Sequence, residues 1–195
     1  MAPGERLAAD LGAVICFEDE AGQGLRPPKG RSWAPRGRTP VFRVRGRRAG
    51  WVSIAGVLCF KPGDRLRLWR GRKGERRGFT WSEYRDLIVA THNQLRAPMV
   101  WIWDNLNVHK AHELIEFIDA NRDWLRVVHL PSYAPDLNPN EGVWSLLKRS
   151  LTDFAAADLD HLVRVVKRKL KKIQYRPDVL DGCLTQTGLT LTTTP

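Results

Sequence analysis

The chain has 195 residues, a length that suits one domain built around one core. No apolar run approaches the roughly 18 residues that a membrane-spanning helix needs, and the first residues lack the charged and apolar regions of a signal peptide. We therefore expect a soluble, cytoplasmic protein without membrane partners. The three cysteines are far apart, so the sequence predicts neither a disulfide framework nor a zinc site.

The charge is strongly basic, with 32 lysine and arginine residues against 21 acidic residues and a formal net charge of +11. This balance favours a polyanionic partner, with nucleic acid as the leading candidate. No acidic residue occurs between Glu20 and Asp64, a stretch rich in arginine that is suited to neutralising phosphates or, alternatively, to forming a solvated loop. The DNA-binding candidates in this stretch are Arg31, Arg36, Arg38, Arg45, Arg47 and Arg48.

The N-terminal half predicts strands. Residues 13–17, AVICF, form an apolar β-prone run that we expect to be a buried strand ending at the acidic residues 18–20. Two further strand-like runs follow at 41–45 and 51–60, with turn residues between them. Three successive strands with short connections indicate an antiparallel meander.

The period then changes to that of a helix. The sequence TWSE at 80–83 is a capping box, and apolar residues recur at helical spacing until Pro98. We predict a strand at 100–103, a helix at 111–120, a strand at 125–130 and a helix that begins near Asn138. These elements make one α/β domain over residues 13–175, between a leader at 1–12 and a tail at 176–195.

The last predicted helix covers residues 159–173 and combines an apolar stripe with basic residues on its other sides. Lys167 and Lys171 are candidates for DNA binding on this helix. A plain solvated face is an equally good interpretation of the same pattern.

Three carboxylates occupy the places where sites assemble in open α/β sheets, namely strand ends and helix starts. Asp19 follows the first strand, Asp104 follows the fourth, and Glu141 begins the helix after the fifth. If the first and fourth strands are neighbours, a helix packed across their ends brings the third carboxylate to the other two. Oxygen ligands of this kind suit Mg²⁺ or Mn²⁺, and two such ions would clamp the oxygens of a phosphoryl transfer.

Local alternatives exist for each carboxylate. Asp19 has Glu20 as a competitor, because strand alternation places the two on opposite faces and does not show which face meets a metal. Asp104 fits an Asx-turn. Asn138 fits an N-cap and Glu141 the third helical position, where a carboxylate reaches back to the cap.

Three motifs carry a family resemblance: DEAG at 19–22, WDNLNVHK at 103–110 and LPSYAPDLNPNEGVWSLLK at 130–148. Together they resemble the catalytic domain of insertion-sequence transposases of the IS630 group, relatives of the Tc1/mariner transposases. The resemblance implies an RNase H-like α/β fold with a mixed five-stranded sheet flanked by helices. It also implies a DDE triad of Asp19, Asp104 and Glu141, which act as catalytic residues and as ligands of two Mg²⁺ or Mn²⁺ ions.

The function implied by the resemblance is metal-dependent DNA cleavage and strand transfer during transposition, in a nucleoid-associated bacterial protein. Its partners would be transposon terminal inverted repeats and target DNA, bound by a dimer. Glu20, Asn105, His109 and Asn138 are candidates for residues that orient the metal ligands or contact DNA.

One departure from the family pattern leaves alternatives open. Family members usually carry an N-terminal helix-turn-helix region, for which residues 1–12 give no room. We therefore expect a catalytic domain, partnered by an upstream helix-turn-helix polypeptide of the same element, or a non-catalytic DNA-binding remnant that regulates a transposase. A stand-alone RNase H-like nuclease is a third interpretation.

Overall fold

The computed structural model describes residues 8, 11–29, 33–38, 41, 50–61, 78–132 and 134–189, together with the backbone of 67–70. The predicted strand at 41–45 lies outside this set apart from Val41. Four of the arginines predicted to bind DNA, namely Arg31, Arg45, Arg47 and Arg48, also lie outside it.

The described strands form one mixed sheet. They are β1 (Val14–Gly24), β2 (Trp51–Phe60), β3 (Arg67–Arg70), β4 (Met99–Trp103) and β5 (Leu125–His129). Their order across the sheet is β3-β2-β1-β4-β5. Pairing is antiparallel from β1 to β2 and from β2 to β3, and parallel from β1 to β4 and from β4 to β5. The first and fourth predicted strands are therefore neighbours.

Strand β1 is longer than predicted. The prediction that it ends before the acidic residues 18–20 is wrong, because β2 pairs with β1 continuously from Ile15 opposite Phe60 to Gly24 opposite Trp51. The acidic residues 18–20 therefore lie within β1, and the pairing with β2 continues beyond them. Strand β3, which the sequence analysis did not predict, extends the meander on the far side of β2.

Five α-helices are described. They are α1 (Trp81–Leu95), α2 (His112–Ala120), α3 (Asn140–Ser150), α4 (Leu159–Gln174) and α5 (Pro177–Thr185). The predicted capping box at the start of α1 is confirmed: the Thr80 N–H donates to Glu83 Oε2 at 2.8 Å, and the Glu83 N–H donates to Thr80 Oγ1 at 3.4 Å. Of the helices within the described ranges, none is both long and apolar enough to cross a membrane.

The sheet separates two apolar clusters because β1 side chains alternate between its faces. Ile15 and Phe17 belong to the cluster formed with α3, α4 and α5, which includes Trp144. Val14 and Cys16 belong to the cluster formed with α1 and α2. Neighbouring residues of β1 therefore present their side chains to different helical layers.

Part of the segment predicted as a tail is structured. Within residues 176–195, helix α5 buries Leu180, Cys183 and Leu184 in the core against α3. The contact is close at Gly142, where an added Cβ would lie 2.8 Å from Cys183 Sγ and 3.0 Å from Cys183 Cβ.

This contact predicts opposite effects of two glycine-to-alanine changes. In an open helical position, alanine stabilises by about 0.5–1 kcal/mol relative to glycine, and Gly182 in α5 has nothing within 4 Å of an added Cβ. We expect Gly182→Ala to show that gain, whereas Gly142→Ala should destabilise by about 1–3 kcal/mol because it overpacks α3 against α5. Urea unfolding of both variants measures the difference, and a gain in both would contradict the packing of α5.

Candidate active site

Parallel pairing of β1 and β4 brings two of the predicted carboxylates to one end of the sheet. The last paired residues are Phe17 on β1 and Ile102 on β4. Asp19 and Asp104 each lie two positions further along the chain, Asp19 within β1 and Asp104 just after the end of β4. Both residues therefore lie just past the last pair of β1 with β4.

Helix α3 is attached to β1 by two buried asparagines. Asn140 Nδ2 donates to the Phe17 carbonyl at 2.8 Å, and Asn138 Nδ2 donates to the Glu18 carbonyl at 3.1 Å. These two carbonyls directly precede Asp19 in the chain. Side-chain amides thus bind β1 carbonyls where the pairing with β4 ends, and the first turn of α3 lies against the acidic part of β1.

The start of α3 differs by one residue from the prediction. The helix begins at Asn140 with Pro139 in the cap position, rather than with Asn138 as the cap. Asn138 nevertheless accepts the Asn140 N–H on Oδ1 at 3.1 Å, so its side chain still serves the helix start. Glu141 is exposed, and its carboxylate makes no hydrogen bond back to Asn138. The capping interpretation of Glu141 is therefore wrong.

Asp19 interacts with both other carboxylates. The pKa of Asp19 is raised to about 6, chiefly by burial. A hydrogen bond from the Trp144 indole acts to lower this pKa, and the negative charges of Glu141 and Asp104 act to raise it. The Trp144 Nε1 to Asp19 Oδ2 distance is 2.8 Å. Three acids from β1, the end of β4 and α3 therefore share one electrostatic environment.

Asp104 is held by its own turn and by His109. Its Oδ1 accepts the Leu106 N–H at 3.0 Å, which is the Asx-turn that the sequence allowed. The same Oδ1 lies 3.2 Å from His109 Nδ1, and the Asp104 carbonyl lies 3.1 Å from that nitrogen. The Asp104 side chain keeps 48% exposure, so the turn orients it without covering it.

Two further contacts support the same loop. His129 Nδ1 lies 3.2 Å from the Asp104 carbonyl, and Asn105 Nδ2 donates to the Leu130 carbonyl at 2.6 Å. Asn105 therefore ties the turn after β4 to the segment after β5.

Glu18 and His109 form a buried pair on the opposite face of β1 from Asp19. Glu18 Oε2 and His109 Nε2 are 3.9 Å apart, and each side chain is 1% exposed. Burial raises the pKa of Glu18 well above its usual value, and burial lowers the pKa of His109. Both shifts favour the uncharged forms of the two side chains over an ion pair. The His109 ring also stacks on Trp103 at 4.1 Å.

Glu20 belongs to the same acidic region. Its pKa is raised to about 7, chiefly by burial and next by the negative charges of Asp104 and Asp19. Glu20 therefore remains a competitor of Asp19 for a metal ion, as the sequence left open.

The chemistry of this carboxylate set fits a hard divalent cation. Its oxygens suit Mg²⁺ or Mn²⁺, and no ion pair seen in the described part of the chain joins a lysine or arginine to Asp19, Glu20, Asp104 or Glu141. Across the described ranges, no three acidic, histidine or cysteine side chains converge tightly enough to hold one ion. The carboxylates are thus near one another without forming a closed ligand cage.

The predicted DNA-binding residues that are described lie on the surface. Arg36 and Arg38 are exposed in 33–38, and Lys167 and Lys171 are exposed on α4. Lys171 Nζ lies 5.8 Å over the Tyr175 ring.

Sequence reasoning missed the roles of several polar contacts at the site. Trp144 was not among the predicted site residues, although its position three residues after Glu141 places both on nearby parts of α3. Asn140 lies inside the quoted motif but was not singled out, and Glu18 was seen only as the neighbour of Asp19. Contacts across 120 residues or more of chain, such as Asn140 to Phe17, leave no local signal.

Comparison with known proteins establishes the family. Residues 14–163 match the family described as DDE superfamily endonuclease, and the chain belongs to that family. A search of curated proteins found no match.

Similar solved structures are Mos1 transposase chains. The Mos1 strand transfer complex has a TM-score of 0.58 at 14% identity, covering 97% of this chain and 60% of that one. The mariner Mos1 paired end complex with Mg has the same TM-score and identity, covering 97% and 61%. The catalytic domain of Mos1 mariner transposase has a TM-score of 0.53 at 11% identity, covering 97% and 92%. The predicted RNase H-like α/β fold is confirmed. The chain spans about three fifths of the length of the complexed Mos1 chains.

The buried Glu18 carboxyl predicts a pH-dependent stability difference in metal-free protein. Because its pKa is raised in the folded state, its contribution to stability is fully present below the unfolded value of about 4.3 and is lost as pH rises through the folded value. Glu18→Gln keeps the shape and cannot ionise. The melting temperature of Glu18→Gln relative to wild type, measured with EDTA, should therefore rise from pH 5 to pH 8.

The matched control for this comparison is Glu113→Gln, which changes an exposed carboxylate on α2. The melting temperature of Glu113→Gln should stay close to that of wild type at every pH. A difference for Glu18→Gln that is constant between pH 5 and pH 8 would show that Glu18 has an ordinary pKa.

Proposed function

We propose that the chain is the catalytic domain of a DDE transposase of the IS630 group, which cleaves transposon ends and joins them to target DNA. Asp19, Asp104 and Glu141 form its catalytic triad. The observation that carries the proposal is that parallel pairing of β1 with β4, and the hydrogen bonds from Asn138 and Asn140 to β1, bring the three elements that bear these acids together. Membership of the DDE superfamily endonucleases supports the assignment.

The triad would hold two Mg²⁺ or Mn²⁺ ions. When bound, such ions activate a water or a DNA 3′-hydroxyl and stabilise the charge on the reacting phosphate. The protein's part is to keep the three carboxylates ionised and oriented. The Trp144 hydrogen bond favours the ionised form of Asp19, and the contacts from Leu106 and His109 orient the Asp104 carboxylate.

DNA is the proposed substrate and partner. One Mos1 transposase structure is a paired-end complex with the left transposon end, and another is a strand transfer complex. In this chain, Arg36, Arg38, Lys167 and Lys171 are exposed cations that we assign to the DNA backbone, and the net charge of +11 favours the same partner. We further propose a dimer on DNA, assisted by an upstream helix-turn-helix polypeptide.

The triad assignment predicts a loss of cleavage in Asp104→Asn. Removing a ligand of the catalytic ions is expected to cost about 3 kcal/mol or more of transition-state stabilisation, which is at least about 100-fold in rate. The measurement is cleavage of labelled duplexes that carry the element's terminal repeats, and nicking of supercoiled plasmid, in Mg²⁺ and in Mn²⁺.

Asp123→Asn is the matched control, since Asp123 is exposed in the turn between α2 and β5. It should cleave at the wild-type rate. Equal activity of Asp104→Asn and wild type would overturn the triad. Metal-independent DNA binding without nicking in either ion would instead identify a DNA-binding remnant.

A further inference from the structure

The indole of Trp144 connects α3 to Asp19. Trp144 is 2% exposed, and its Nε1 donates to Asp19 Oδ2 at 2.8 Å. A donor that meets a carboxylate in a buried setting makes a strong, directional hydrogen bond. The carboxylate also accepts a hydrogen bond from the Glu20 backbone N–H, so Trp144 is its side-chain donor and Glu20 its backbone donor.

Gly56 provides the space that this indole occupies. It lies directly opposite Asp19 in the β1–β2 pair, and opposed residues of an antiparallel pair present their side chains to the same face. An added Cβ at Gly56 would lie 2.6 Å from Trp144 Cη2 and 2.8 Å from Cζ2. The rigid ring has no flexible end to yield, so any side chain at position 56 would displace the indole.

Packing alone does not account for this arrangement. The buried Trp101 in β4 shows the contrast: its Nε1 has no hydrogen-bond partner within the described residues, and its ring packs in the cluster on the other face of the sheet. Trp144 instead directs its N–H to a carboxylate of the site.

We propose that Trp144 is a positioning residue for Asp19: its N–H fixes one carboxylate oxygen so that the other faces the divalent cation, and Gly56 keeps the space open for it. This inference rests on the proposed function. Hydrogen bonds to metal ligands commonly contribute 10–100-fold to metal affinity or activity.

The primary test is Mn²⁺ binding, measured by calorimetry on the full chain without DNA. Trp144→Phe keeps an aromatic ring and removes the N–H, and it should weaken the Mn²⁺ affinity by about 10-fold or more. Trp101→Phe makes the same chemical change at another buried tryptophan and should stay within about twofold of wild type. The melting temperatures of both variants show how much each substitution lowers the stability of the folded protein.

Replacement of Trp144 by benzothienylalanine separates the N–H from the shape of the ring. This residue carries sulfur in place of the N–H and otherwise matches tryptophan. It should lower Mn²⁺ affinity as Trp144→Phe does while leaving the melting temperature near that of wild type. It also keeps the test decisive if Trp144→Phe folds poorly.

A double-mutant cycle tests the role of Gly56. Gly56→Ala should weaken Mn²⁺ binding in the wild-type background, because it displaces the indole. Phenylalanine lacks the outer ring atoms that the new Cβ would meet, so Gly56→Ala should add little to Trp144→Phe. Such non-additivity is expected when two residues act through one contact, and full additivity would exclude action through Trp144.

The outcomes separate this inference from the proposed function. Mn²⁺ binding that is lost in Asp19→Asn but unchanged in Trp144→Phe and in the benzothienylalanine protein would overturn the role of Trp144 and leave the triad in place. Two results would overturn the triad and this inference together. One is that the wild-type protein binds no Mn²⁺, and the other is that Asp19→Asn binds Mn²⁺ as tightly as wild type.

Discussion

The attachment of α3 to β1 is the constraint on which the site depends. Two successive carbonyls of β1, at Phe17 and Glu18, accept hydrogen bonds from Asn140 and Asn138. The last pair between β1 and β4 joins Phe17 to Ile102, so the two asparagines bind β1 where its pairing with β4 ends. These two hydrogen bonds fix the start of α3 against β1. Glu141 and Trp144, in the first turns of that helix, are thereby placed near Asp19.

Charge at this site works against the fold in the absence of a cation. Asp19 and Glu20 have raised pKa values of about 6 and 7, chiefly because burial disfavours their ionised forms. The surrounding contacts act on the carboxylates differently: Trp144 favours ionised Asp19, whereas the buried Glu18 faces a neutral His109. Burial thus favours the protonated form of Glu18, while the indole N–H favours the ionised form of Asp19. Strained electrostatics of this kind are typical of functional sites.

Much of the arrangement was predictable from sequence. Periodicity and caps located the first four helices and strands β1, β2, β4 and β5. The meeting of the three acidic motifs was predicted on the condition that the first and fourth strands are neighbours, and the sheet order meets that condition. The end of β1 was predicted wrongly because a run of acids resembles a strand end, while backbone pairing with β2 decides where the strand stops. Helix α5 was predicted as part of a tail because its apolar face is short. That face is recognisable only from its packing against α3, which is close at Gly142. The contacts of Asn140 and Trp144 join residues more than 120 positions apart, and no local pattern specifies such pairs.

The central claim is that Asp19, Asp104 and Glu141 hold the same divalent cations. The most direct measurement is a crystal structure of the protein with Mn²⁺, in which anomalous scattering locates the ions independently of any assay. The account predicts anomalous peaks within coordination distance of all three carboxylates, with Trp144 still donating to the other oxygen of Asp19. Peaks bound by Glu20 and Asp104 without Asp19 or Glu141, or peaks away from this end of the sheet, would contradict it.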